Sequence, residues 1–126
     1  MKKIVFSLFV LFFASQVKAQ TIPDKAAQIK AAVLAAPQDF RKGAKVYGYD
    51  ANGEWTVLRE GSNEMICIAD NPNAEGFSAS CYHKDLEPFM ERGRALKKEG
   101  KNFKQIFDTR EKEAKSGSLK MPSEPA

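Results

Sequence analysis

The chain carries two cysteines, Cys67 and Cys81, and their spacing constrains its fold more than any other feature. Each lies in a short run rich in strand formers, residues 64–69 and 77–82, and the segment between them, 70–76 (DNPNAEG), is built of turn formers. Opposed residues of an antiparallel hairpin keep a constant sum of residue numbers. A hairpin centred near Ala74 therefore sets Cys67 opposite Cys81, Ala69 opposite Ala79 and Met65 opposite His83. The two thiols then lie side by side. A disulfide closing a loop of this size contributes about 3 kcal/mol in the chain-entropy account, against roughly 5–15 kcal/mol of net stability for a domain. A redox-active pair is disfavoured, because no Cys-x-x-Cys arrangement lowers one thiol's pKa. The competing reading is a metal site, in which Cys67, Cys81 and His83, together on one face in this register, hold zinc or copper. The two readings exclude each other, and an oxidising compartment favours the disulfide, so no metal and no cofactor is expected.

The N-terminus points to such a compartment. Met1-Lys2-Lys3 is basic, residues 4–14 are almost wholly apolar, and Ser15-Gln16-Val17-Lys18-Ala19 follows. The apolar run is too short to cross a bilayer as a helix, which takes roughly 20 residues. With small or medium residues at Val17 and Ala19, segment 1–19 reads as a secretory signal peptide cleaved after Ala19, sending the chain to the periplasm or the extracellular space. The alternative is a buried N-terminal helix. No cysteine lies near the junction, which disfavours a lipid anchor, and no transmembrane segment is expected in the mature chain.

Removing the leader changes the charge argument. The chain has 20 Lys+Arg against 16 Asp+Glu, but Lys2, Lys3 and Lys18 belong to the leader, so the remaining 107 residues carry a net charge of only +1. Nucleic-acid recognition usually rests on a concentrated basic footprint, so it is not expected. The run Lys97, Lys98, Lys101 and Lys104 reads as a solvated helix surface. A length of 107 residues suits one domain, 20–126, small enough for a covalent staple to matter.

Along the chain, Thr21 reads as the N-cap of a helix reaching about Ala36, with Ile29 and Val33 on one stripe and Pro37 ending it. From Ala44 the period becomes two. Residues 45–49 and 54–59 form a hairpin around Asp50-Ala51-Asn52-Gly53, with Gly53 the left-handed residue of the turn. With the two cysteine strands they make an antiparallel meander of four strands. A second helix follows, capped at Asp85 or Glu87, with Leu86, Phe89, Met90, Gly93 and Leu96 in one stripe and Gly93 marking close approach to another backbone. Asn102 caps a third helix whose apolar face is Phe103, Ile106 and Phe107, with surface pairs Asp108–Lys112 and Glu111–Lys115. Residues 118–126 read as a loose tail.

Chemistry has few candidates. His83 is a weak candidate for a general base, oriented by Asp85 or Glu87, but Ser78 and Ser80 alternate to the opposite face and no Gly-x-Ser-x-Gly turn is present. A histidine ending a strand before a helix more often acts as a cap or a surface hydrogen bonder. Trp55, Tyr47 and Tyr49 line one sheet face, either as half-buried strand surface or as an aromatic platform for a glycan or a peptide. Arg59, Glu60, Asn63 and His83 form the remaining polar group, the candidate binding residues, expected at one edge of the sheet.

Arg59-Glu60-Gly61 with Asn63, Cys67, Gly76, Cys81-Tyr82-His83, and Leu86-Glu87-Pro88-Phe89-Met90 with Arg92-Gly93-Arg94 resemble a family of small secreted bacterial proteins without an assigned activity. The resemblance spans about Ala27 to Pro122. It implies members that continue past the equivalent of Met121-Pro122 into a further segment with strand character, making this chain a shortened member or a fragment, and it assigns no role to any residue.

The expectation is an α+β domain: an N-terminal helix, a four-stranded antiparallel sheet stapled by Cys67 and Cys81, and a C-terminal helix pair packed on one sheet face. Its expected role is a secreted binding or interaction module with an unknown partner. The alternative is a small exported hydrolase or metal-dependent enzyme using His83.

Overall fold

A computed structural model describes residues 21–125, so the leader assigned to 1–19 lies outside the described residues. Helix α1, Lys25–Ala32, begins where the Asp24 carboxylate accepts a hydrogen bond from the Ala27 amide at 2.7 Å. The cap is thus Asp24 and not Thr21, since Pro23 precedes it and the acidic oxygen meets the exposed amides and the positive end of the dipole. The helix stops short of Ala36, tightening into a 3-10 turn at Val33–Ala35.

Four strands follow: β1, Lys45–Tyr49; β2, Trp55–Arg59; β3, Met65–Ile68; and β4, Ser80–His83. The β1–β2 turn has Gly53 at φ 78°, and the Asp50 carboxylate accepts from the Asn52 and Glu54 amides. The β3–β4 register pairs Cys67 with Cys81 and Met65 with His83, as the constant sum requires, and the two cysteines are joined in a disulfide.

The strand order corrects the meander. The sheet runs β2-β1-β3-β4 and is mixed, with β1 and β3 parallel. The connection after β2 crosses the start of β1 and lays β3 on its far side. The Ser62 and Asn63 amides donate to the Gly43 carbonyl at 2.8 and 3.1 Å, and a Cβ on Gly61 would stand 2.8 Å from the Lys45 amide nitrogen. Burial agrees with this order. Ile66 and Cys67 are consecutive and both buried, which requires a strand covered on both faces, whereas β2 leaves Trp55 and Val57 exposed, as an edge strand does.

Helix α1 packs on β1 and β2, and its alanines allow close contact. Ala32 and Ala36 meet Ala44, Val46, Leu58, Cys67 and Ala69 in the core. Buried Gln28 pins the helix to β1, donating to the Tyr49 carbonyl at 2.8 Å and accepting from the Tyr49 amide at 3.0 Å.

The C-terminal helices also differ from the expectation. After a 3-10 turn at Lys84–Leu86 come α2, Glu87–Lys98, and α3, Phe103–Ser116. They pack on each other, and α2 reaches the sheet through Glu87 and Arg94. Asn102 caps α3 in a reciprocal capping box with Gln105. Phe103 and Phe107, expected on the apolar face of this helix, stay 83% and 54% exposed. Gly93 receives a side chain and not a backbone: a Cβ there would stand 2.8 Å from Arg110 Nη1, and that guanidinium lies 4.0 Å from the Phe89 ring centre. Asp108 pairs with Lys104 in place of Lys112. Beyond α3, Leu119 is buried and its amide donates to the Glu113 carbonyl.

Candidate functional site

The polar group expected at one edge of the sheet is strung along one end of it, because Arg59 ends β2 and His83 ends β4, which are opposite edge strands. Two of its members are spent on backbone. The Arg59 guanidinium donates to the Ala44 carbonyl at 2.8 and 3.1 Å and to the Arg41 carbonyl at 2.6 Å. Asn63 donates to the Phe40 carbonyl at 2.7 Å and accepts from the Met65 amide at 2.9 Å. These bonds satisfy carbonyls that precede β1 and hold the crossing connection in place. Glu60 is exposed, 3.9 Å from Lys45 Nζ.

His83 caps the 3-10 turn, its Nδ1 accepting from the Asp85 amide at 3.2 Å, and its Nε2 lies 3.2 Å from Glu64 Oε2. Asp85 Oδ2 lies 3.5 Å from Nδ1. A cleft of about 290 Å³ beside the ring is lined by Asp85, Ser123, Glu124 and Pro125. Both thiols are held in the disulfide, and among the described residues no group of three His, Cys, Asp or Glu is placed to hold a metal.

The densest convergence of functional side chains lies on the other sheet face. Alternation along β1 sends Val46 and Gly48 toward α1 and Lys45, Tyr47 and Tyr49 away from it, and Trp55, opposite Tyr49, joins the second set. The Trp55 ring stacks on Tyr47 with centres 4.9 Å apart and an interplanar angle of 25°, and meets Tyr49 edge-on at 5.8 Å. The Arg94 guanidinium lies 5.2 Å from the Tyr47 ring centre and 5.1 Å from that of Trp55, while Lys45 Nζ lies 4.8 Å from Tyr47.

One carboxylate organises this cluster. Glu87 Oε1 accepts from the Tyr47 hydroxyl at 3.0 Å and from Arg94, and its Oε2 accepts from the Tyr82 hydroxyl, which in turn accepts from Arg94 at 3.3 Å. Burial, followed by the Glu87 hydrogen bond, pushes the Tyr82 phenol far above the ordinary tyrosine range, so it remains a donor. Burial, with the Asp70 charge, also raises Tyr49. Burial alone would lower Arg94, but its contacts with Tyr82 and Glu87 outweigh that and keep it cationic. Arg94 is thereby held against the aromatic rings by a network with no free acid in it, while Trp55 remains 38% exposed.

The aromatic residues are legible in the β-period of the sequence; Glu87, expected to orient His83, instead joins Arg94, Tyr47 and Tyr82, a set that the sequence alone does not bring together. The signal for Glu87 and Arg94 was the seven-residue spacing, two helical turns, which sets both on one side of α2 beside the apolar stripe. Elsewhere, a cleft of about 390 Å³ lies between α1 and the β3–β4 connection, lined by Ala27, Gln28, Pro72 and Phe77 among others. No family model, no curated protein and no solved structure matches this chain.

Proposed function

We propose that the protein is an exported, disulfide-stapled binding module whose recognition surface is the aromatic face around Trp55, and that its ligand is a glycan. The half-open Trp55–Tyr47 stack carries this reading, because a flat π surface takes the apolar face of a sugar ring while neighbouring cations donate to its hydroxyls. The charge at the patch favours a neutral ligand. Glu87 offsets Arg94, and Glu60 lies near Lys45. The disulfide suits an oxidising compartment, and no helix among the described residues is long and apolar enough to cross a membrane.

Trp55 is the only tryptophan of the chain, so its emission reports on the site directly. Titration with N-acetylglucosamine oligomers, glucans and galactans is expected to give a saturable change in emission, weakened at least tenfold by Tyr47→Ala and untouched by Phe77→Ser. A flat response across that panel, with calorimetry equally silent, would sink the glycan reading.

The second reading, a hydrolase or metal-dependent enzyme at His83, draws on the placement of that ring between Glu64 and Asp85, with Ser123 lining the same cleft. It requires hydrolysis of generic ester or peptide substrates that His83→Ala abolishes while leaving the far-ultraviolet circular dichroism unchanged.

A further inference from the structure

We propose that the turn joining α2 to α3 docks on the surface of an anionic phospholipid bilayer, with Phe103 and Phe107 entering the interface and the surrounding lysines meeting the headgroups. Phe103 and Phe107 are four apart on α3 and share one side of it. They are the most exposed apolar residues of that helix, at 83% and 54%. Lys97 and Lys98 end α2, Lys101 lies in the connection and Lys104 in the first turn of α3, and all four are exposed. Two exposed aromatic residues and four exposed lysines between residues 97 and 107 give the composition of a segment that lies in a membrane interface, where apolar burial and attraction to anionic lipid act together.

The local charge supports the choice of occupant. The acidic neighbours are Glu99, 4.0 Å from Arg92, Asp108, paired with Lys104, and Glu111, one turn beyond Phe107 and paired with Lys115, which leaves Lys97, Lys98 and Lys101 without an ion pair among the described residues. The start of α3 brings the positive end of that helix's dipole to the same place. A second copy of the chain fits less well. Two phenylalanines of ~200 Å² each, at these exposures, offer about 270 Å² of apolar surface, a minor share of the roughly 800 Å² of polar and apolar surface together that each partner of a stable dimer buries. The lysines of the two copies would also face each other.

The test is vesicle flotation with the oxidised full chain, using vesicles of phosphatidylcholine alone and of phosphatidylcholine with an equal part of phosphatidylglycerol. Every sample keeps the same N-terminus, so any contribution of the apolar run 4–14 is common to all. Binding is expected to be at least tenfold tighter to the anionic vesicles and to weaken with added salt. It should drop at least tenfold in Phe103→Ser/Phe107→Ser, and about fivefold for each of Lys97→Gln, Lys98→Gln and Lys101→Gln. These side chains are exposed, so circular dichroism and the unfolding midpoint should not move. Equal binding to both vesicle types, or variants that bind like the parent, would overturn the proposal. So would self-association, seen by sedimentation equilibrium, that the double phenylalanine variant abolishes.

Discussion

The half made of α1 and the sheet and the half made of α2 and α3 are held together by different forces. In the first, Ala32, Ala36, Val46, Leu58 and Cys67 are almost completely buried, and a covalent bond joins β3 to β4. In the second, Leu96 is the one buried side chain of the two helices, and ionic and cationic contacts join them around it. Arg92 makes a bidentate pair with Glu113, and Arg110 lies over Phe89 while donating to the Phe89 carbonyl at 3.2 Å. Arg110 Nε is buried without a hydrogen-bond partner among the described residues. Partly exposed ion pairs contribute little next to apolar burial, so the helical pair is expected to open first in native-state hydrogen exchange. The candidate site spans the seam, its rings on the sheet and its Glu87–Arg94 pair on α2. Ligand binding at that seam would therefore couple the two halves.

Breaking the staple tests the comparison most severely. Cys67→Ser/Cys81→Ser is expected to cost about 3 kcal/mol in denaturant unfolding, with hydrogen exchange rising first in β3 and β4, and so to bring the strong half down toward the weak one. Glu87→Gln keeps the shape but removes the charge that Arg94 and two tyrosines share. It should cost about 2 kcal/mol and shift Trp55 emission, because Arg94 is released from the rings. If its effect on exchange is confined to α2 and α3, the seam is not a coupling element.

Two pH measurements sharpen the same contrast. The phenol of Tyr82 is raised in the folded chain, so below about pH 10 both folded and unfolded states hold its proton and the stabilisation is complete. Above that, the unfolded chain loses the proton while the folded chain keeps it, and stability falls as the pH climbs. Absorbance titration at alkaline pH should show Tyr82 ionising last, together with unfolding. Glu113 shifts the other way. The Arg92 hydrogen bonds hold its carboxyl below the usual range, so its contribution is present above the ordinary carboxylate pKa and is lost as the pH falls through the lowered value. The effect is the smallest of the four and should appear in α2 and α3 alone, as protection from exchange, corrected for the intrinsic amide rate at each pH, that falls on acidification in the parent and not in Glu113→Gln.

What was legible in the chain was local or followed a fixed index rule. Asn102 and Gln105 form their capping box within three residues, Gly53 takes the left-handed turn conformation beside Asp50, and the Cys67–Cys81 pairing follows once one hairpin is placed. Strand order was not, because Glu60 to Asn63 reads equally well as a plain turn. The carbonyls of Phe40 and Gly43, distant in sequence, draw that segment across β1 and help set β3 on the far side. The exposure of Phe103 and Phe107 was hidden for a related reason. A helical period marks an apolar stripe but does not say whether another element covers it.

The chain alone therefore determined its cysteine bond, its turns and caps, and the residues able to form an aromatic surface, since each depends on residues near in sequence or on the alternation of a strand. The tertiary structure decided which strands are neighbours, which carboxylate collects Tyr47, Tyr82 and Arg94 beside Trp55, and which phenylalanines remain uncovered. Those outcomes rest on contacts between segments many residues apart, chosen by competition among burial surfaces that no local pattern encodes.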